Sequence, residues 1–150
     1  MRDQIWIDHK QFEELADRLE NDLNGDVKKV FEDYLARVAE ETGKRLHKGM
    51  SRKTKHKTEP KMRSHNRTGR TDSAIINKGV QKWSGDFVTM DVGYNLLDGG
   101  IASIFLLYGT PKMEPDKFLY NAIFGAWAKR MQTKLGKEAF EKAMARLLKK

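Results

Sequence analysis

The sequence has no cysteine. Disulfides and cysteine-ligated zinc are therefore excluded, and nothing points to an oxidising compartment. It also lacks long hydrophobic runs. The N-terminal stretch MRDQIWIDHK is broken by charge, unlike the apolar core of a signal peptide. No segment approaches the ~20 consecutive apolar residues that span a bilayer. We expect a soluble protein made in the cytoplasm. Proline is scarce, at three residues, and two of them, Pro111 and Pro115, fall in one short segment.

Catalytic signatures are missing too. There is no phosphate-cradling glycine loop and no nucleophile elbow around Ser51, Ser64, Ser73 or Ser103. The acid pairs Glu13–Glu14 and Glu40–Glu41 fall on predicted helix surfaces, where adjacent side chains point apart instead of sharing a proton. His47, His56 and His65 recur at equal spacing, but among Lys44, Arg45, Lys48, Lys53, Lys55, Lys57, Arg63 and Arg67. A dication there would meet repulsion, with only Glu59 nearby, so these read as solvated histidines. The sequence predicts no enzyme, no metal site and no cofactor.

What is present is 150 residues, enough for one domain with a core, and a segregated charge. Residues 1–43 hold 6 Lys/Arg against 12 Asp/Glu, net −6. Residues 51–70 hold 8 Lys/Arg against one acid, net +7, and residues 111–150 hold 10 against 4, net +6. The basicity lies in a central segment and a C-terminal arm, opposite an acidic N-terminal arm.

Asp8 and Gln11 form a capping-box pattern, and Phe12, Leu15, Ala16, Leu19 and Leu23 follow at helical spacing. After Asn24–Gly25, with Asp26 as cap, Val27, Val30, Phe31, Tyr34, Leu35, Val38, Ala39, Thr42 and Leu46 predict a second helix running to about Gly49. Both stripes suit core or subunit contact. From Met50 to Arg70 periodicity vanishes, which predicts a long mobile loop that becomes ordered against a partner. Ala74–Trp83 and Asp86–Tyr94 read as strands around Ser84–Gly85. The nearly all-apolar Ile101–Gly109 reads as a central strand. A helix is predicted from Pro115–Asp116, through Phe118, Leu119, Ala122, Ile123, Ala126, Trp127 and Met131, with a break at Leu135–Gly136 and a last amphipathic helix beyond. The expected fold class is α+β: a small antiparallel β-meander packed against a long N-terminal helix and C-terminal helices, with a long basic loop. As one domain it divides into a helical arm (8–49), the basic loop (50–70), the meander (71–110) and the C-terminal helices (115–150).

The basic loop carries Arg52, Lys53, Lys55, Lys57, Lys61, Arg63, Arg67 and Arg70 without one aromatic residue. Such charge attracts phosphate backbones without reading sequence, and it offers no stacking platform for single strands. A solvated linker, contact with duplex DNA and contact with an acidic protein surface all remain open. The acidic and basic arms suggest a head-to-tail contact in which Glu13, Asp17, Glu20 or Glu32 of one subunit faces Lys129, Arg130, Lys134 or Lys142 of the next. Pairing of the same arms within one subunit is the competing arrangement.

Arg67-Thr68-Gly69-Arg70 after a long helix, then Tyr108-Gly109-Thr110, then Pro115, Phe118, Leu119 and Ala122 opening a C-terminal helix, resemble the tail-completion family of long-tailed double-stranded DNA phages. These are minor tail components, or head–tail joining proteins. The resemblance covers most of residues 9–148. The chain departs from the family pattern at Thr71 and Tyr108 and in its longer, more basic loop. The resemblance implies a virion protein that forms a ring, hexameric in the family, at the neck or top of the tail. Its partners would be adjacent neck and tail-tube or tail-terminator proteins and packaged DNA. Gly69, Tyr108, Gly109, Thr110, Pro115, Phe118 and Leu119 would shape a stiff joint that fixes the angle between sheet and helix.

Overall fold

The computed structural model describes residues 17, 25–55, 62–64, 68–85 and 87–148. The expected first helix, with Glu13 and Glu20, lies outside the described residues except for Asp17, which is helical and exposed. Helix α1 spans Asp26–Met50. At 1.5 Å per residue it is ~37 Å long. Its buried residues, Val27, Val30, Val38, Ala39, Leu46 and Met50, are the apolar stripe the sequence shows. Gly25 occupies the cap position with no side-chain cap bond, so Asp26 does not cap the helix.

The basic segment is not wholly irregular. Strands β1 (Lys53–Lys55) and β2 (Met62–Ser64) pair antiparallel, with Thr54 opposite Arg63. Backbone pairing needs no apolar face, and hydrophobic patterning therefore gave no warning of it. A single turn of helix, α2 (Arg70–Ser73), follows, with Gly69 at its cap position.

Strands β3 (Ile75–Ile76), β4 (Gln81–Ser84), β5 (Phe87–Met90) and β6 (Gly93–Tyr94) fold back as one interrupted two-stranded ribbon. β3 pairs with β6 and β4 with β5. Residues 77–80 on one side face only 91–92 on the other, so the ribbon bulges there. The fold is α+β, with small antiparallel β elements between the long helix and the C-terminal helices as expected, but the expected third strand of the meander is a helix. Ile101–Gly109 contains α3, Ala102–Tyr108. Its buried residues are Ser103, Leu106 and Leu107, the i, i+3, i+4 pattern of one helix face. An unbroken apolar run carries no period, which is why strand and helix could not be separated there.

Helix α4 (Lys117–Ile123) begins where the sequence puts it, capped by Asp116. Its Oδ1 accepts hydrogen bonds from the backbone N–H groups of Phe118 at 2.8 Å and Leu119 at 3.1 Å. The next interruption falls at Phe124–Gly125, not at Leu135–Gly136. Helix α5, Ala126–Leu148, runs unbroken through Gly136. Leu135 is buried, and packing against α1 outweighs the weak helix propensity of one glycine.

α5 lies antiparallel along α1, with Arg130 near Arg45 and Glu138 bonded to Arg37. Two cores result. One joins the C-terminal half of α1 to the ribbon, α3 and α4 through Leu46, Met50, Ile75, Leu106, Leu107, Leu119 and Ala122. The other joins its N-terminal half to α5 through Val27, Val30, Ala139, Ala143 and Leu147.

Candidate functional site

The joint connects two helices, not a strand and a helix. Gly109 ends α3 with φ 79° and ψ 178°, a conformation in practice reserved for glycine. A Cβ there would lie 2.8 Å from the Met113 carbonyl oxygen and 2.9 Å from Pro115 Cδ. Thr110 and Met113 exchange two backbone hydrogen bonds, of 2.8 and 3.1 Å, across Pro111–Lys112. The Asp116 N–H then donates to the Leu106 carbonyl at 2.8 Å, tying the start of α4 to α3. Leu119 is fully buried in the core. It packs against Gly49 of α1, where a Cβ would have no room. The joint therefore docks α4 onto α1, where the resemblance implied an angle fixed between helix and sheet.

α3 is apolar on both sides. Opposite its buried face, Ile101 is 60% exposed, Ile104 42%, Phe105 52% and Tyr108 60%. These four positions have i, i+3, i+4, i+7 spacing, a complete helical stripe facing solvent. The stripe continues onto α4 through ring contacts, Tyr108 to Tyr120 at 6.1 Å and Tyr120 to Phe124 at 5.5 Å. Beside it lies a cleft of about 320 Å³ between Leu107, Tyr108, Pro115, Lys117, Tyr120 and Asn121.

A second constellation lies where α1 passes into the basic segment. The guanidinium of Arg45 lies over two rings, 4.2 Å from the Phe118 centroid and 4.4 Å from that of Trp127. Arg52 lies over Phe118 at 4.5 Å. Each such contact contributes ~0.5–2 kcal/mol according to its desolvation. Burial lowers the Arg45 pKa, and the charges of Arg52 and Arg130 lower it further. The Arg45 Nε–H is buried with no hydrogen-bond partner among the described residues. The sequence reading passed over Arg45 and Trp127 as site residues. The available signal was a cation, Arg45, beside the stripe residue Leu46, and two aromatics, Phe118 and Trp127, nine positions apart.

Of the other expected basic residues, Lys53, Lys55 and Arg63 lie on β1 and β2. Arg70 is exposed on α2, while Lys57, Lys61 and Arg67 lie outside the described residues. His47 is not a solvated loop histidine. It sits on α1, half-buried, between Asp72 Oδ1 at 2.9 Å and Asn77 Oδ1 at 3.0 Å, and ties α2 and the bulge to α1. Among the described residues no three metal-ligating side chains cluster.

The expected interface residues divide. Glu32 is engaged within its own chain. Its Oε1 accepts from Trp83 Nε1 at 2.8 Å, and its carbonyl accepts from Gln81 Nε2 at 2.7 Å. Lys129, Arg130, Lys134 and Lys142 are exposed along α5. One ion pair between the two arms has the opposite polarity to the expected one. Arg37 of α1 donates to Glu138 of α5 at 2.9 Å. Burial raises the Tyr94 pKa, and the charges of Asp116 and Asp72 raise it further, keeping this core phenol neutral. No helix among the described residues is long and apolar enough to cross a membrane.

Comparison with protein-family models, curated proteins and solved structures gave no match to this chain.

Proposed function

We propose that the chain is a structural virion protein of a long-tailed double-stranded DNA phage. Copies of it close into a ring at the neck or the top of the tail and join the tail to the DNA-filled head. The observation that carries this reading is the exposed stripe of Ile101, Ile104, Phe105 and Tyr108, continued by Tyr120 and Phe124. A contiguous apolar face on a stiff frame is what a permanent contact with another subunit requires. Gly109, the Thr110–Met113 turn and the Asp116 cap fix the angle between α3 and α4, and a ring needs one angle repeated at every copy. The exposed cations of α5 would orient that contact more than they strengthen it. The resemblance of the Arg67–Arg70, Tyr108–Thr110 and Pro115–Ala122 segments to tail-completion proteins supports the same reading.

A second reading, a small basic module that binds DNA or RNA without sequence preference, is favoured by the cluster of Arg45, Arg52 and Arg130. Native mass spectrometry and negative-stain imaging separate the two. We expect closed rings from the natural chain. The exposed double substitution Ile104→Asp and Phe105→Ser should give folded monomers with an unchanged melting temperature. A natural chain that stays monomeric at high concentration, and binds duplex DNA tightly at low salt, overturns the ring in favour of the second reading.

A further inference from the structure

We propose that Arg45, Arg52 and Arg130 form a phosphate site for the backbone of double-stranded DNA at the root of the basic hairpin. The inference stands on the arginine cluster alone and holds whether or not the chain assembles into rings. Like charges brought together in a partly desolvated place repel one another. Here the fold holds Arg45 and Arg52 against Phe118 and places Arg130 close enough for its charge to act on Arg45. Among the described residues none of the three forms an ion pair with a carboxylate. The buried Nε–H of Arg45 also has no acceptor among the described residues. An oxyanion beside the guanidinium groups offsets that repulsion. The planar fork of arginine matches two oxygens of one phosphate.

The rest of the cluster narrows the ligand. Guanidinium groups lie over the rings of Phe118 and Trp127, where unpaired bases of a single strand would otherwise stack. Arg52 is also the first cation of the segment 51–70, whose net charge is +7. Strand β1 begins at the next residue, Lys53, and pairs with β2. A run of cations with a single acid, Glu59, suits a uniform polyanion, which it can bind without sequence readout. An acidic protein face would need carboxylates matched in position to each arginine.

The test measures binding of a labelled DNA duplex by fluorescence anisotropy across a potassium chloride series. Two parallel arms use polyglutamate and inorganic phosphate. Arg52 and Arg130 are exposed, so in Arg52→Gln with Arg130→Gln the relief of repulsion should offset the lost contact with Phe118 and leave the chain folded, with a melting temperature within a few degrees of the natural one. The slope of log affinity against log salt should fall by about two, close to one per lost phosphate contact. Arg45→Lys keeps the charge but loses the fork, so it should keep the slope and weaken duplex binding. An unchanged slope in the double variant overturns the proposal. Equal losses for duplex and polyglutamate overturn it in favour of an acidic protein surface. A thermal shift with inorganic phosphate but no duplex binding overturns it in favour of a free ion.

Discussion

The two halves of α1 are buried by different means. Its C-terminal half meets α3, α4 and the ribbon. Large side chains interlock there, with Leu46, Met50 and Leu119 almost wholly excluded from solvent. Its N-terminal half packs its apolar stripe on α5, over the small residues Ala139 and Ala143, with Phe31, Tyr34 and Met144 only partly covered, and touches the ribbon at its polar flank, where Lys28 and Glu32 meet Trp83. A junction of several elements can close over branched side chains from all directions. A pair of helices buries one stripe of each and leaves the flanks wet. Both surfaces assigned a function, the apolar stripe of α3–α4 and the arginine cluster, border the densely packed half. Surfaces that must meet a partner in a fixed geometry belong on the part of the molecule that yields least.

Removing buried volume should expose this difference. Leu119→Ala leaves a hole bounded by α1 and α3, and large-to-small changes at such positions cost ~2–5 kcal/mol. Val30→Ala removes two carbons at the edge of the two-helix core. At ~0.8 kcal/mol per buried methylene it should cost about 1–2 kcal/mol. Urea denaturation of both variants measures the gap. Equal losses would mean that the two halves are equally well packed.

Gly109→Ala probes the hinge of the densely packed half. The new methyl meets the Met113 carbonyl at 2.8 Å, and the φ of 79° is strained for alanine in any case. A non-glycine residue held in such a conformation costs ~1–3 kcal/mol. The joint would open instead of α3 melting, so the loss should come with a change in tyrosine fluorescence from Tyr108 and Tyr120. A stable variant with an unaltered signal would show that the joint is loose.

The sequence read the two halves unequally, for physical reasons. α1 was legible because its stripe is long and periodic. The start of α4 was legible because an aspartate cap after proline is a local signal, and the β4–β5 hairpin because alternation flanks a glycine turn. α3 was misread because it is apolar on both faces. A helix that buries Leu106 and Leu107 while showing Ile104 and Phe105 to a partner has no polar side to report its period. The stripe that hid the helix is the stripe we assign to subunit contact. The break at Gly136 was misplaced because propensity is local, whereas α5 is held by Leu135 and its neighbours against α1. Arg45 was passed over because nothing local distinguishes an arginine stacked on rings far along the chain. The acids and bases of the two arms were legible as charge, but their pairing was not. Glu32 turned to Trp83, and Arg37 to Glu138.

That last pair sets the smallest effect, on the less densely packed half. The hydrogen bond from Arg37 holds Glu138 below the usual carboxylate range; burial opposes it slightly, and the charges of Arg37, Lys134 and Lys142 add to it. A carboxylate whose folded pKa is depressed contributes stability above its unfolded pKa. That contribution is lost as pH falls through the lower folded value. The α1–α5 contact should therefore weaken on acidification, below the ordinary glutamate range and not near neutrality. Both side chains are substantially exposed, and pairs of this kind are weak and screened by salt. Glu40, held down by Lys44 four residues along α1, shows the same sign, but its pair lies within one helix and does not report on α5. Arg37→Gln should therefore flatten part of the acid limb of a melting-temperature titration at low salt. High salt should erase the difference from the natural chain. An acid limb identical in both proteins at low salt would mean that the pair does not hold α5 to α1 in solution, leaving Glu138 and Arg37 available to a neighbouring subunit.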